Sequence, residues 1–414
     1  MRRDVTWNLV PVVLLAVVGL ALNFSIAGHW GAKALGAFNI VTTAMFAFAV
    51  FGAGGLQFAV LRAVAEDPDD PVHVAESVVA TLIPNVVLAA VATLTFVLLR
   101  GPIGQLVHST LVPEGILWAA PGLFCFAINK TLLGVVNGLR RMRAFAIYTS
   151  VRYCLIGIGL VVAWQLDVSA ARLPLIWSVT EVALLLVLLV ELFTTVSLRR
   201  SGRWMAHIRG HLDYGARSVL ATLASEINSK LDIWVVAVVM PETAVGIYSL
   251  ASVVYEGALQ LPVAVQNNLN PVIARHVAAG ELLEVEALVT RSRRWFVPAM
   301  VGACALGAAL YPYLIPWLTG DPAFRDGALP FALLMAGIAL SSPYLPFTQT
   351  LLMASRPGWH SVYILVTVAI AASALLLLTP AFGLAGAGAG TAIGLVGSAI
   401  LLRLLVRSRV GLRI

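Results

Sequence analysis

The chain has 414 residues, 60% of them hydrophobic and 11% charged, with a mean hydropathy of +0.93. Soluble domains carry about 25% charged residues, so a water-soluble globular protein is excluded and an all-α polytopic membrane protein is indicated. The net charge of +7 does not call for nucleic acid, because the basic residues cluster between apolar runs. The apolar runs are continuous rather than alternating, which excludes a β-barrel.

Twelve spans are predicted, at about 7–27, 38–61, 77–99, 115–137, 145–165, 173–197, 218–240, 246–274, 296–318, 328–354, 361–379 and 384–406. Each is long enough for a hydrocarbon core of about 30 Å. Met1-Arg2-Arg3 before an apolar run resembles a signal peptide. No small-residue cleavage site follows, so it reads as a retained first helix. Asp67-Pro68-Asp69-Asp70-Pro71 reads as a solvated turn.

Charges inside spans are costly and face a partner or a wet cavity. The fourth and fifth spans carry Lys130 and Arg152. The sixth carries Glu181 near its middle and Glu191 near its basic end. Glu181 can pair with either Lys130 or Arg152, and the sequence does not choose between them. The seventh span carries Glu226, Lys230 and Asp232. On a continuous helix Glu226 and Lys230 share a face and Asp232 lies toward the other side. The eighth carries Glu256, Gln260, the amides Gln266, Asn267, Asn268 and Asn270, and two prolines, Pro262 and Pro271, expected to kink it. The amides fit either hydrogen bonds between helices or a wet lining for hydroxyl-rich cargo.

Orientation follows from the basic residues. With the N-terminus inside, 20 of the 27 Lys and Arg fall in inner segments, 4 in outer segments and 3 within spans. Both termini are therefore expected in the cytoplasm of a cell-membrane protein. The chain divides into an N-terminal six-helix lobe at 1–200, a basic cytoplasmic linker at 201–216 and a C-terminal six-helix lobe at 217–414. The halves echo each other. Ala34-Leu35-Gly36-Ala37-Phe38 and Ala244-Val245-Gly246-Ile247-Tyr248 both read as outer turns, and each is followed by a long span and a basic exit, at Arg62 and Arg275. A parallel repeat around a central interface is expected.

Signals for catalysis are weak. Cys125, Cys154 and Cys304 are scattered in apolar runs, the histidines lack ligand spacing, and no phosphate-cradling Gly-Lys-Ser loop is present. The sequence predicts no catalytic residue, metal site or cofactor. A membrane glycosyltransferase would need a sizeable loop outside the bilayer, and none is predicted.

Several short motifs in order carry a family resemblance. They are Leu35-Gly36-Ala37-Phe38, Gly134-Val135-Val136-Asn137-Gly138-Leu139-Arg140-Arg141, Asn228-Ser229-Lys230-Leu231-Asp232, Val245-Gly246-Ile247-Tyr248-Ser249-Leu250-Ala251, Asn270-Pro271 and Phe382-Gly383-Leu384-Ala385-Gly386-Ala387. Together they resemble the oligosaccharide and polysaccharide flippases of the superfamily that also contains the multidrug-and-toxin exporters. The resemblance implies two six-helix lobes around a central, often cationic cavity that opens alternately to each side. It implies a polyprenyl-pyrophosphate-linked oligosaccharide as cargo, with polysaccharide polymerase and assembly proteins as partners. Lys130, Arg152, Glu226, Lys230 and Asn267 are then the candidate cargo contacts, and Glu181, Asp232 and Glu256 the candidates for ion coupling. The competing reading is an ion-coupled exporter of small organic cations. Drug exporters of this superfamily often use a carboxylate in the first helix, where this chain offers Asn23 and Ser25 but no acid after Asp4.

Overall fold

The computed structural model describes residues 2–197 and 202–412, and within these the side chains of 2–13, 220, 221, 224 and 225 are not described. Arg199, Arg200 and Arg413, counted above among the inner arginines, lie outside the described residues, as do the side chains of Arg2, Arg3 and Asp4. Among the described residues every regular element is helical: α1 (Arg2–Ala53), α2 (Leu56–Glu66), α3 (Pro71–Leu98), α4 (Arg100–Leu106), α5 (Val112–Gly138), α6 (Met142–Gln165), α7 (Leu175–Thr195), α8 (Trp204–Ser229), α9 (Leu231–Val239), α10 (Glu242–Ala278), α11 (Leu282–Thr319), α12 (Ala328–Ser341), α13 (Thr350–Met353) and α14 (Pro357–Arg409). Helices are the expected solution, because hydrocarbon offers the backbone no hydrogen-bond partner and a helix satisfies its own groups.

Nine helices among the described residues are long and apolar enough to cross a membrane. Two of them hold two spans each. α1 breaks at Gly31 (φ 82°, ψ 175°) and α14 at Gly383 (φ 60°, ψ −137°), conformations open to glycine and strained for residues with a Cβ. With the seventh predicted span divided between α8 and α9, all twelve predicted spans have a counterpart.

Several boundaries differ from the sequence reading. The first outer turn lies at Gly31, and 34–38 is already helical, as is 244–248. The second predicted span is cut at Gly54 and Gly55. A Cβ on Gly55 would fall 2.4 Å from the Gly215 carbonyl oxygen, so this break brings α2 backbone-close to α8. The tenth predicted span stops at Ser341, where Pro343 and Pro346 cannot supply the next helical N–H groups. α10 continues as helix through both Pro262 and Pro271. The turn at 67–71 is solvated as expected, and Asp70 caps α3 by accepting from the Val72 N–H at 2.8 Å.

The chain forms two compact units, 1–230 and 231–414. The sequence reading sets the division at the linker 201–216. Packing sets it after Lys230, because α8 lies against α1, α2 and α3. In the first unit α5 is the central helix, and Ala127, Leu132, Leu184 and Leu188 join it to α7 in one apolar core. In the second, Ile273, Val285, Phe347, Tyr363 and Leu402 form the core near the basic ends of α10, α11 and α14.

The first turns of α8 precede the seventh predicted span and are held to α2 and α3 by polar contacts. Glu76 accepts from the Arg203 N–H at 2.7 Å and lies 3.4 Å from His207 Nε2. Arg62 stacks 5.4 Å from the Tyr214 ring centroid and pairs with Glu66. His211 is buried here, and His73, His207, Glu66 and Arg62 line the same cleft. Burial, then the neighbouring His207 and His73, push the His211 pKa below its ordinary value, with Glu66 opposing. The docked state therefore holds His211 neutral. Its contribution is complete above the ordinary histidine pKa of about 6.5 and is lost as pH falls below it. Hydrogen exchange across 204–214, corrected for intrinsic rates, should accelerate more between pH 7.5 and 5.5 in wild type than in His211→Gln. Equal acceleration in both would remove His211 from this role.

Candidate functional site: a buried ion cluster beside a half-buried lysine

The site in the first unit is built where α5, α6 and α7 meet. α5 carries Pro121, which cannot continue the helical ladder. One rung on, the Ser178 hydroxyl of α7 accepts from the Gly122 N–H at 2.9 Å and donates to the Trp118 carbonyl. A hydroxyl is thus inserted into the α5 ladder and ties the two helices in register. One turn further along α7 is Glu181, fully buried at 0% exposure.

Glu181 is heavily engaged. Arg152 Nε lies 2.7 Å from its Oε1, and Arg152 Nη2 donates to Oε2 at 3.2 Å. Asn129 Nδ2 donates to the same Oε2 and to the Glu181 backbone carbonyl, both at 2.9 Å. The structure therefore chooses Arg152, not Lys130, as the partner of Glu181. Of the two approaches only Nη2 to Oε2 is a hydrogen bond, and the Nε to Oε1 approach is an ion-pair contact.

Lys130 follows Asn129 but is not part of this pair. It is half-buried, and among the described residues no carboxylate lies within ion-pair distance of it. Its ammonium is 5.1 Å from the Phe126 ring centroid, and the Arg152 guanidinium is 4.9 Å from the same ring. Phe46 packs 5.2 Å from Phe126 and 5.1 Å from Trp177, making an aromatic wall behind the cations. Lys130, Arg152 and Glu181 together carry two positive charges and one negative, and Glu226 of α8 also acts on Lys130 from beyond ion-pair distance. Chemically such an arrangement can receive an anion: Lys130 offers a point charge, and Arg152 has donors beyond those Glu181 takes.

The other candidates lie outside the Arg152–Glu181 pair. Glu226 is half-buried on α8. Lys230 is half-buried at the C-terminal end of α8, with φ −129° and ψ 17°, so the helix stops there. This corrects the continuous span at 218–240: the break at Lys230 separates α8 from α9 and so separates Glu226 from Asp232. Glu191 pairs with Arg141 and accepts from the Tyr148 hydroxyl at 2.8 Å.

In the second unit Asp232 is buried, and among the described residues its hydrogen bonds come from neutral donors. Its Oδ1 accepts from the Ile233 N–H at 2.9 Å, and its Oδ2 accepts from the Tyr248 and Ser252 hydroxyls at 3.1 and 3.2 Å. Thr391 Oγ1 is 3.2 Å from the Tyr248 hydroxyl. Glu256 is half-buried on α10. Of the amides, Asn270 donates to Gln349 at 2.7 Å and Gln266 to Thr348, which joins α10 to the segment after α12. Asn267 and Asn268 are exposed. The sequence reading did not single out Asn129, Tyr248, Ser252 or Thr391. Their signal was a polar side chain within an apolar run, which is common to many helix-packing residues.

A family model described as "Polysaccharide biosynthesis protein" matches residues 1–276, two thirds of the chain. The chain belongs to that family. The match spans Lys130, Arg152, Glu181 and Asp232. By sequence, no curated protein matches. Among solved structures, the chain is similar to an inward-facing multidrug resistance MATE family transporter of the MOP superfamily. The identity is 16%, the coverage 99% of this chain and 98% of that one, and the TM-score 0.79. It is equally similar in TM-score, 0.79, to the lipid II flippase MurJ in an inward closed conformation, at 13% identity over 97% of this chain and 87% of that one. A MOP superfamily transporter from Pyrococcus furiosus, described as having a binding pocket of reverse polarity, matches at 15% identity, with 98% and 94% coverage and a TM-score of 0.59. These likenesses establish the fold: this member of the polysaccharide biosynthesis family is a multi-pass helical protein with the architecture of MOP superfamily transporters.

Proposed function

We propose that the protein is a flippase. Its cargo is a polyprenyl-pyrophosphate-linked oligosaccharide, moved from the cytoplasmic to the outer leaflet of the cell membrane by alternating access, for surface polysaccharide assembly. The observation that carries this reading is Lys130, a half-buried cation without a carboxylate partner among the described residues, next to Arg152. A pyrophosphate is the costliest part of such a cargo to desolvate, and fixed cations in a low-dielectric site offset that cost. Family membership and the likeness to a lipid II flippase support the same class of cargo. Lys230 and Glu226 are assigned to a second headgroup contact, and Asn267 to the sugar hydroxyls. Polysaccharide polymerase and assembly proteins are the proposed partners.

A second reading, export of small organic cations coupled to an ion, is favoured by one observation: among the described residues, Asp232 is a buried carboxylate held by hydroxyls and a backbone N–H. Under both readings Asp232 is assigned to ion coupling, with Glu181 and Glu256 as further candidates. The two readings separate in proteoliposomes. A flippase translocates fluorescent polyprenyl-pyrophosphate oligosaccharide and leaves ethidium gradients unchanged. Ethidium transport without lipid translocation would establish the exporter.

The flippase reading requires cytoplasmic termini, from the excess of basic residues in inner segments. An alkaline phosphatase fusion after Ile414 should be inactive. An active one would invert the topology.

A further inference from the structure

The turn between α5 and α6 carries three arginines within four residues, Arg140, Arg141 and Arg143. Among the described residues, one of them is neutralised. Arg141 pairs with Glu191 and donates to Thr195 at 2.8 Å, and Glu191 is held in turn by Tyr148. Arg140 and Arg143 are exposed, and no carboxylate lies within ion-pair distance of either among the described residues. Both border a cavity of about 490 Å³, whose other walls include Ala144, Ile147 and Tyr148. One wall of the cavity is thus fixed by an ion pair, and two exposed guanidiniums, without an ion pair among the described residues, stand at its mouth.

What continues from this cavity is apolar. Ile147, Cys154, Ile158 and Val161 lie on the same face of α6 as Arg143, at spacings of three, four and seven. Ile147 is 48% exposed, Ile158 58% and Val161 50%, and Cys154 is exposed as well. From Arg143 to Val161 the helix rises about 27 Å, close to the hydrocarbon thickness of a bilayer. Beyond it, Trp164 is exposed, in the position of an interfacial aromatic. Such a face meets lipid chains in any membrane protein. The distinguishing feature is its basic end, where two uncompensated guanidiniums meet the first exposed aliphatic side chain.

We propose that this face of α6 is a binding site for a phospholipid with an anionic headgroup, its phosphate on Arg140 and Arg143 and an acyl chain along Ile147, Cys154 and Ile158. Guanidinium recognises phosphate through paired N–H donors, and the two unpaired arginines supply these at the height of the headgroup. The apolar stripe restricts the ligand to one that carries its phosphate on a hydrocarbon chain. The site rests on the membrane reading of the chain and is independent of its cargo.

Cys154 provides the test, because Cys125 and Cys304 are buried. A bimane attached to Cys154 in nanodiscs would report quenching by phosphatidylglycerol or phosphatidylcholine brominated in mid-chain. Half-maximal quenching is expected at about a tenfold lower mole fraction of the anionic lipid, from the attraction of two basic residues near the surface. The preference should vanish in Arg140→Gln with Arg143→Gln and persist in Arg140→Lys with Arg143→Lys. Equal quenching by the two lipids in wild type, or a preference that survives the double Gln change, would overturn the assignment. So would loss of the preference with submillimolar inorganic pyrophosphate, which would make this a site for a soluble anion. No step of the measurement involves transport.

Discussion

Truncating Glu181 to Ala is expected to destabilise the protein by about 3–5 kcal/mol, the usual effect of stranding one partner of a buried ion pair. Glu181 is fully buried, and its carboxylate accepts from Asn129 while facing Arg152, whose side chain is only 11% exposed. Without Glu181, Arg152 keeps its charge and has no other carboxylate within ion-pair distance among the described residues. The accompanying expectation separates the pair from the fold. Arg152→Met combined with Glu181→Leu should recover much of the loss, because a packed apolar pair avoids the desolvation of both ions. Thermal unfolding in detergent and membrane abundance measure both effects. Wild-type stability in Glu181→Ala would show that the pair is screened by water and does not hold α6 to α7.

The second large effect is expected at Lys130. Lys130→Gln should lower lipid-linked oligosaccharide flipping roughly 10- to 100-fold at normal abundance, the loss of one contact to a charged group of about 1.5–3 kcal/mol. Normal abundance is expected because no carboxylate lies within ion-pair distance of Lys130 among the described residues, Glu226 acts on it only from farther away, and Glu181 keeps Arg152. Lys130→Arg should retain most of the rate. Lys230→Arg, Lys230→Gln and Lys230→Gln with Glu226→Gln form the comparison series. If charge at Lys230 serves transport, the Arg variant flips and both Gln variants do not. Full flipping by Lys130→Gln would move headgroup binding to Lys230. Full flipping by the Lys230 double variant would leave it with Lys130 and Arg152.

The two predictions differ in how much of them was legible in the sequence. That Lys130, Arg152 and Glu181 are costly residues needing partners follows from their place in apolar runs. Which of them pair depends on how α5, α6 and α7 are rotated and shifted against one another. That register is set by the hydroxyl bridge from Ser178 into the α5 ladder and by the packing of Ala127, Leu132, Leu184 and Leu188. Periodicity within one helix holds no information about it. Asp232 illustrates the same limit. Its own position was evident, but Tyr248 and Ser252 reach it only through the packing of α10 on α9, and Thr391, beside Tyr248, comes from α14.

The sequence by itself determined the membrane class, the all-helical architecture and the number of spans. These depend on local sums, the length and apolarity of each run against the thickness of the hydrocarbon, and no distant contact alters them. The tertiary structure alone decided where the helices break and which unit each joins. Lys230 ends α8 within a run apolar enough to continue, and Gly31, not Gly36, takes the left-handed turn. α8 belongs to the first unit because Gly215 admits the backbone of Gly54 and Gly55, and because Glu76 holds Arg203 and His207. Close approach and ion pairing between distant segments are properties of packed surfaces, and they appear only when the helices are set side by side.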